Sequence, residues 1–248
     1  MSTLRPLVAQ VRVETYMTLR RGETLLLTVG IPVAFLVFFS TSHVVTTGNE
    51  PAVSFFVPGI LALAVMSTAM VSLGIATGFE RGYGVLKRLG ATPLGRPRLL
   101  GAKIITIFFV ELFQAAVLVP VGYALGWIPG GDTPAASAGQ ALAAALLATA
   151  AFGGLGLLLA GVLRAEVNLA AANGLYLVLL LLGGMIVPLA KLPGALAAVA
   201  RAFPAAALSD ALHAALGTGT GVPTEAWIVL GAWAVGATAA AALTFRWE

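Results

Sequence analysis

The feature that most constrains this chain is a succession of apolar runs, each about as long as a membrane is thick, separated by short polar interruptions. A helix needs about 20 predominantly apolar residues to cross a hydrocarbon core of roughly 30 Å. In that medium only helices and closed barrels satisfy their own backbone groups, and runs of this length specify helices. Six of them are expected to cross: 24–44, 53–78, 104–127, 140–163, 169–189 and 224–245. Hydrophobic residues make up 59% of the 248 residues and charged ones 10%, against roughly 25% charged in soluble domains. The expected fold is all-α and integral to the membrane, one transmembrane domain over 1–248.

The interruptions carry their own signals. The turn from Ile128 to Pro134 holds Pro129, Gly130, Gly131 and Asp132, a strong stop, and Arg164, Ala165 and Glu166 make a tight turn. A short polar loop, Thr46 to Pro51, separates the first two spans, and Pro32 and Pro58 fall near span ends, where a kink costs few ladder bonds. Over 190–223 the pattern changes to Pro193, Pro204 and Pro223 with Lys191, Arg201 and Asp210 among alanine-rich pieces too short to cross; surface or re-entrant external helices are expected. In segment 1–23, Leu4, Val8, Val11, Thr15 and Leu19 recur at spacings of three and four, with Arg5, Arg12 and Glu14 elsewhere on the wheel. That spacing predicts an amphipathic helix on the membrane surface, its cations meeting lipid headgroups; the alternative is a solvated tail. The segment is not expected to be a signal peptide, because the apolar run begins only near Thr24 and no cleavage site follows.

Charge sets the orientation. If six helices cross, twelve of the 14 Lys and Arg residues fall on one side: four in the N-terminal segment, six in 79–103, Arg164 and Arg246. Only Lys191 and Arg201 fall on the other. By the positive-inside rule both termini and 79–103 are expected to be cytoplasmic, and Trp247, just past the last apolar run, is a typical interface anchor. The net charge of +4 does not suggest nucleic acid, because the cations flank apolar runs instead of forming an open basic surface.

Little in the chain suggests catalysis. Cysteine is absent, so there are no thiolate metal sites, and His43 and His213 are too far apart in sequence for a local metal motif. There is no Walker A pattern, no H-E-x-x-H and no nucleophile elbow, and Gly153, Gly154 and Gly156 lie inside an apolar run where no phosphate would reach. The chain is not expected to be an enzyme. Glu111 is the one carboxylate well inside a span, with Gln114 three residues on and on the same face. Burying such a charge in hydrocarbon costs roughly 2.5 kcal/mol or more, so it should face protein or a wet cavity. It either lines a substrate route or carries a proton, or it is a carboxyl satisfied across a helix contact. Asn168 and Asn173 read as interhelical hydrogen-bonders. The pairs Gly74 with Gly78, Gly122 with Gly126 and Gly156 with Ala160 allow close helix approach, inside the chain or between subunits.

The stretch from Phe79 to Lys103 carries Arg81, Lys87, Arg88, Arg96, Arg98 and Lys103 against one acid, Glu80. It is either a topogenic loop or a docking element that receives force from another protein. Its order matters here. Glu80-Arg81-Gly82-Tyr83-Gly84-Val85-Leu86-Lys87-Arg88-Leu89 followed by Thr92-Pro93-Leu94 resembles the E-R-E-x-G-T-L-E-x-L and T-P-[LV] signature of ABC-2 type exporter membrane subunits, particularly the branch that includes daunorubicin-resistance permeases. Val57-Pro58-Gly59-Ile60 is similar to that family's F-x-x-P-G-I, and Gly183 to Pro188, Leu192-Pro193 and Phe203-Pro204 resemble its G-x-x-x-P, L-P and x-P series. Gly82 and Lys87 depart from the pattern, standing where acids are usual.

The resemblance implies a six-span permease assembled with a second permease, identical or different, and two nucleotide-binding ATPase subunits in the plasma membrane. ATP and Mg would be bound by those partners, with no cofactor in this chain. The 79–103 loop would be the coupling helix: Val85, Leu86 and Leu89 seat an apolar ridge, Arg81, Lys87 and Arg88 meet acids of the ATPase, Glu80 and Gly84 belong to the same signature, and Thr92-Pro93 ends the element. The implied function is ATP-driven export of a hydrophobic or amphipathic, drug-like or lipid-like substrate. The competing reading is a secondary transporter driven by an ion gradient through Glu111, weakened by its single intramembrane acid and the lack of an inverted repeat.

Overall fold

A computed structural model describes residues 4–20, 22–42, 51–90, 95–130 and 134–245. His43, most of the loop before Pro51, Thr92, Pro93, Leu94, Gly131, Asp132 and the final Arg246-Trp247-Glu248 lie outside the described residues. The chain is nearly all helix, with no strand among the described residues.

The helix that opens with Val53 to Met66 is apolar on every side, and such a helix has to be enclosed by others. It forms the central pillar: α3 (Ala52–Met66), a π-helical turn (Ser67–Ser72) and α4 (Leu73–Gly82) run as one span, Ala52–Gly82, largely buried by its neighbours. Around it stand α1 (Leu4–Arg20), α2 (Gly22–Ser42), α6 (Arg96–Ala124), α7 (Pro134–Val162), α8 (Ala165–Leu182) and α11 (Thr224–Thr244). Between α4 and α6 lies the short helix α5 (Val85–Gly90); between α8 and α11 lie α9 (Gly194–Ala200) and α10 (Pro204–Leu212), the latter continuing as a π-helical turn to Thr218. Among the described residues five helices are long and apolar enough to cross a membrane, or six if the pair Gly194–Ala200 and Pro204–Thr218, bent by 89°, counts as one broken span. The first expected span is α2, whose apolar part runs over Leu26–Ser42.

Lipid tails are as apolar as leucine, so burial alone does not hold such helices together; close backbone approach and interhelical hydrogen bonds do. Gly74 and Gly156 meet face to face, and a Cβ on Gly156 would lie 2.5 Å from the Met70 carbonyl oxygen. A Cβ on Gly154 would lie 2.6 Å from the Thr238 amide, which lets α7 and α11 pack backbone to backbone. At these places the small residues serve packing within the chain. Asn168 donates to Gly74 O at 2.8 Å, bridging α8 and α4, whereas Asn173 bonds Leu169 O on its own helix. Phe39 stacks on Phe56 at 5.2 Å and joins α2 to α3.

Several helix ends differ from the expected ones. The second span continues past Gly78 to Gly82, so Phe79 to Gly82 are its last turn and not loop. The third begins at Arg96 and ends at Ala124; Trp127 folds back, its amide donating to Gly122 O at 2.9 Å. The fourth starts at Pro134, six residues early, and α6 and α7, at 29 residues each, are about 44 Å long. The fifth stops at Leu182 instead of 189, because Gly183 caps it and Gly184 takes φ +70°, a left-handed conformation that Met185 to Val187 cannot undo by being apolar. In 190–223, α10 is buried against α3, α7 and α11 with only Asp210 exposed. His213 secures it, with Nε2 3.0 Å from Phe55 O and Nδ1 2.8 Å from Ser209 O.

α1 packs on α6 with a face that only partly coincides with the expected stripe. Val11 and Thr15 are half-buried, but Val8 is exposed and Glu14 turns inward. The ammonium of Lys103, which draws Glu14 in at 3.4 Å, outweighs the apolar register. Val13, Tyr16 and Met17 are left on the outer face, and Arg20 reaches back to the Tyr16 hydroxyl.

Candidate functional site

Two places concentrate polar groups. The first is the end of the bundle that carries α5. Glu80 and Arg81 sit on the last turn of α4, and both turn into the protein. Lys103, on the second turn of α6 and 3% exposed, donates to Glu80 Oε2 at 2.7 Å and lies 3.4 Å from Glu14 Oε1. One ammonium thus joins α1, α4 and α6. Arg81 donates from Nη1 to Gly161 O at 2.6 Å and from Nη2 to Leu163 O. Those carbonyls end α7, where the helix has no amide left to offer them and its dipole favours a cation. The guanidinium fork therefore fastens α4 to the α7–α8 turn.

Beyond Gly82 the chain makes a two-residue turn at Tyr83 and Gly84, the latter at φ +72°, and enters α5. Leu86 is fully buried, Leu89 half-buried against the core, and Val85, Lys87 and Arg88 are exposed. Tyr83, 77% exposed, extends the same outer face. The structure therefore divides the expected coupling residues in two. Glu80, Arg81 and Leu86 are committed to this chain, while Val85, Lys87 and Arg88 face outward; Thr92 and Pro93 lie outside the described residues. A cavity of about 420 Å³ opens beside α5, lined by Arg81, Lys87, Arg164 and Glu166.

The second place is inside the bundle. Glu111 and Gln114 share a face of α6, as their spacing predicts, and both line an apolar cavity of about 240 Å³ between α3, α6, α7 and the turn that follows α10. Gln114 is fully engaged: Nε2 donates to Thr28 O at 2.8 Å, and Oε1 accepts from the Thr68 hydroxyl at 3.2 Å. It ties α2, the π-helical turn and α6 together. Glu111 is not. The Thr149 hydroxyl reaches Glu111 Oε2 and also lies 2.7 Å from Ala145 O, so its one proton serves one acceptor at a time. Glu111 Oε1 is buried with no hydrogen-bond partner among the described residues.

Sequence reasoning missed Lys103 as more than a loop cation, and with it Glu14, Tyr83 and Thr149. A cation at the mouth of an apolar run signals a buried pair in Lys103, but its partners lie 23 and 89 residues away and no spacing reveals them.

No cluster of three metal-ligating side chains occurs among the described residues. Apolar helices in this number, closed around a central pillar and braced at one end by ion pairs, define a multi-pass membrane protein. A sequence model of the ABC-2 type transporter family matches residues 7–216, and the chain belongs to that family. A comparison with curated proteins finds no match. The protein is thus a membrane permease of the ABC transporter class, a transport subunit and not itself the ATPase; membrane subunits of this family normally pair with ABC ATPase subunits.

Proposed function

We propose that this permease works with a second permease and two nucleotide-binding ATPase subunits to export a hydrophobic or amphipathic, drug-like or lipid-like molecule. Both termini and the α5 end face the cytoplasm of the plasma membrane in this reading, in keeping with the charge asymmetry. ATP and Mg belong to the ATPase partners, and α2 is the first of six crossings. The observation that carries the reading is the division of labour around α5. Its outer face, Tyr83, Val85, Lys87 and Arg88, is exposed, while Leu86 is sunk in the core. Glu80 and Arg81, at its root, are tied to α6 and α1 through Lys103 and to the end of α7.

A push on α5 is conveyed in this reading through Glu80 and Arg81 to α6, α1 and the end of α7. ATP binding in the partner favours one arrangement of the paired permeases and hydrolysis another, and transport follows when substrate affinity differs between them. Family membership supports this over a gradient-driven mechanism.

The test is co-purification with the cognate ATPase. Tyr83→Ala combined with Arg88→Glu should reduce recovery of the ATPase at least tenfold and abolish ATP-dependent uptake into inverted vesicles, while leaving the permease folded. Unchanged recovery and uptake would remove α5 as the docking element.

A further inference from the structure

The cavity around Glu111 has an unusual balance. Its walls are Leu61, Val65, Phe108, Leu142, Leu212 and Leu216, with Glu111 lining it from α6. Every other polar group that borders it is occupied, since Gln114 spends both ends of its amide on Thr68 and Thr28. What remains is one buried carboxyl oxygen without a partner among the described residues, on a side chain 5% exposed, beside a space large enough for a small organic molecule. A carboxylate in an apolar site is tolerated when a cation pairs with it, and the strongest hydrogen bonds are those in which both partners are ionised. The walls ask for an apolar body and the carboxylate for one donor that is positively charged.

We propose that this cavity is a binding site for a hydrophobic ammonium, an apolar molecule carrying one protonated amine that bonds Glu111 Oε1 while its body fills the space between α3, α6 and α7. As a station on the export route it rests on the exporter reading above; as a binding site it stands without an ATPase. The neighbouring π-helical turn Ser67–Ser72 gives the site a means of adjustment, because such turns are frequent at functional positions and Thr68 within it reaches Gln114. Thr149 holds Glu111 from the α7 side through Oε2, which leaves Oε1 as the oxygen open to a new donor.

The experiment uses two isosteric probes, 4-phenylbutylamine and 4-phenylbutan-1-ol. Tritiated amine is bound to the permease alone in lipid nanodiscs, with empty nanodiscs subtracted and the alcohol as competitor. The amine is expected to bind at least tenfold tighter than the alcohol to the native chain. In Glu111→Gln, which keeps the shape and an acceptor for Thr149, that preference should fall below threefold. Ala141→Leu, filling the cavity from α7, should weaken both probes at least tenfold. Equal binding of the two probes to the native chain would overturn the proposal without reliance on any variant; so would a preference that survives Glu111→Gln, or undiminished binding of the amine to Ala141→Leu. Because no ATPase is present, failure of coupling leaves this outcome unaffected.

Discussion

Replacing Lys103 by Met keeps the apolar stem and removes the ammonium that joins α1, α4 and α6. The side chain is 4% exposed, and its acids are 36% (Glu80) and 17% (Glu14) exposed. Removing one partner of a fully buried pair costs about 3–5 kcal/mol, and an exposed pair contributes about 0–1 kcal/mol. Glu80 can rehydrate when abandoned; Glu14 is held between α1 and α6 and does so less completely. The expected cost lies between the limits, about 2 kcal/mol. For a chain of this size that lowers the melting temperature by about 4–8 °C. Scanning calorimetry of the permease in nanodiscs reads this directly. Adding Glu14→Gln and Glu80→Gln to Lys103→Met removes the stranded charges and should restore at least half of the loss. A single variant that melts within about 1 °C of the native chain, or a triple variant no better than the single, would refute the idea that this ammonium braces the α5 end.

Two further outcomes follow from the geometry. Leu86→Asp places a carboxylate in a fully buried apolar site and should cost several kcal/mol, on the order of 3 or more; size-exclusion profiles would show loss of folded permease, and a well-folded variant deficient only in ATPase binding would return Leu86 to the docking face. Gly156→Leu forces a side chain against the Met70 carbonyl, 2.5 Å from where its Cβ would lie, and should destabilise by about 3 kcal/mol because backbone cannot step aside as a side chain can. Limited trypsin digestion would report α7 loosened, and an unchanged digest would mean that α4 and α7 do not approach so closely.

How far the sequence carries depends on the kind of residue. Apolar runs long enough to cross announce themselves, and all but the first match helices that are long and apolar enough to span. Their ends were less legible. The run through Met185 to Val187 reads as membrane span, yet the paired glycines before it stop α8 at Leu182, since backbone conformation overrides composition at a cap. In the same way Phe79 to Gly82 read as loop by their charge but are helix, because Glu80 and Arg81 find partners in the protein. Gln114 and Glu111 were legible as a shared face of one helix; that one is saturated and the other not depends on Thr28, Thr68 and Thr149, which come from three other elements.

By itself the sequence determined a helical membrane protein, the order of its apolar helices and the signature of its family, because length, apolarity and charge bias act locally and need no partner to be read. Only the tertiary structure decided which charged residues turn inward and which stay exposed. Arg81 and Lys103 carry the same charge as Lys87 and Arg88, but carbonyls and carboxylates from distant helices draw the first two inward, while the side chains of the other two are exposed. The same packing encloses Glu111 and leaves one of its oxygens without a partner among the described residues, a consequence of helix arrangement that no spacing along the chain contains.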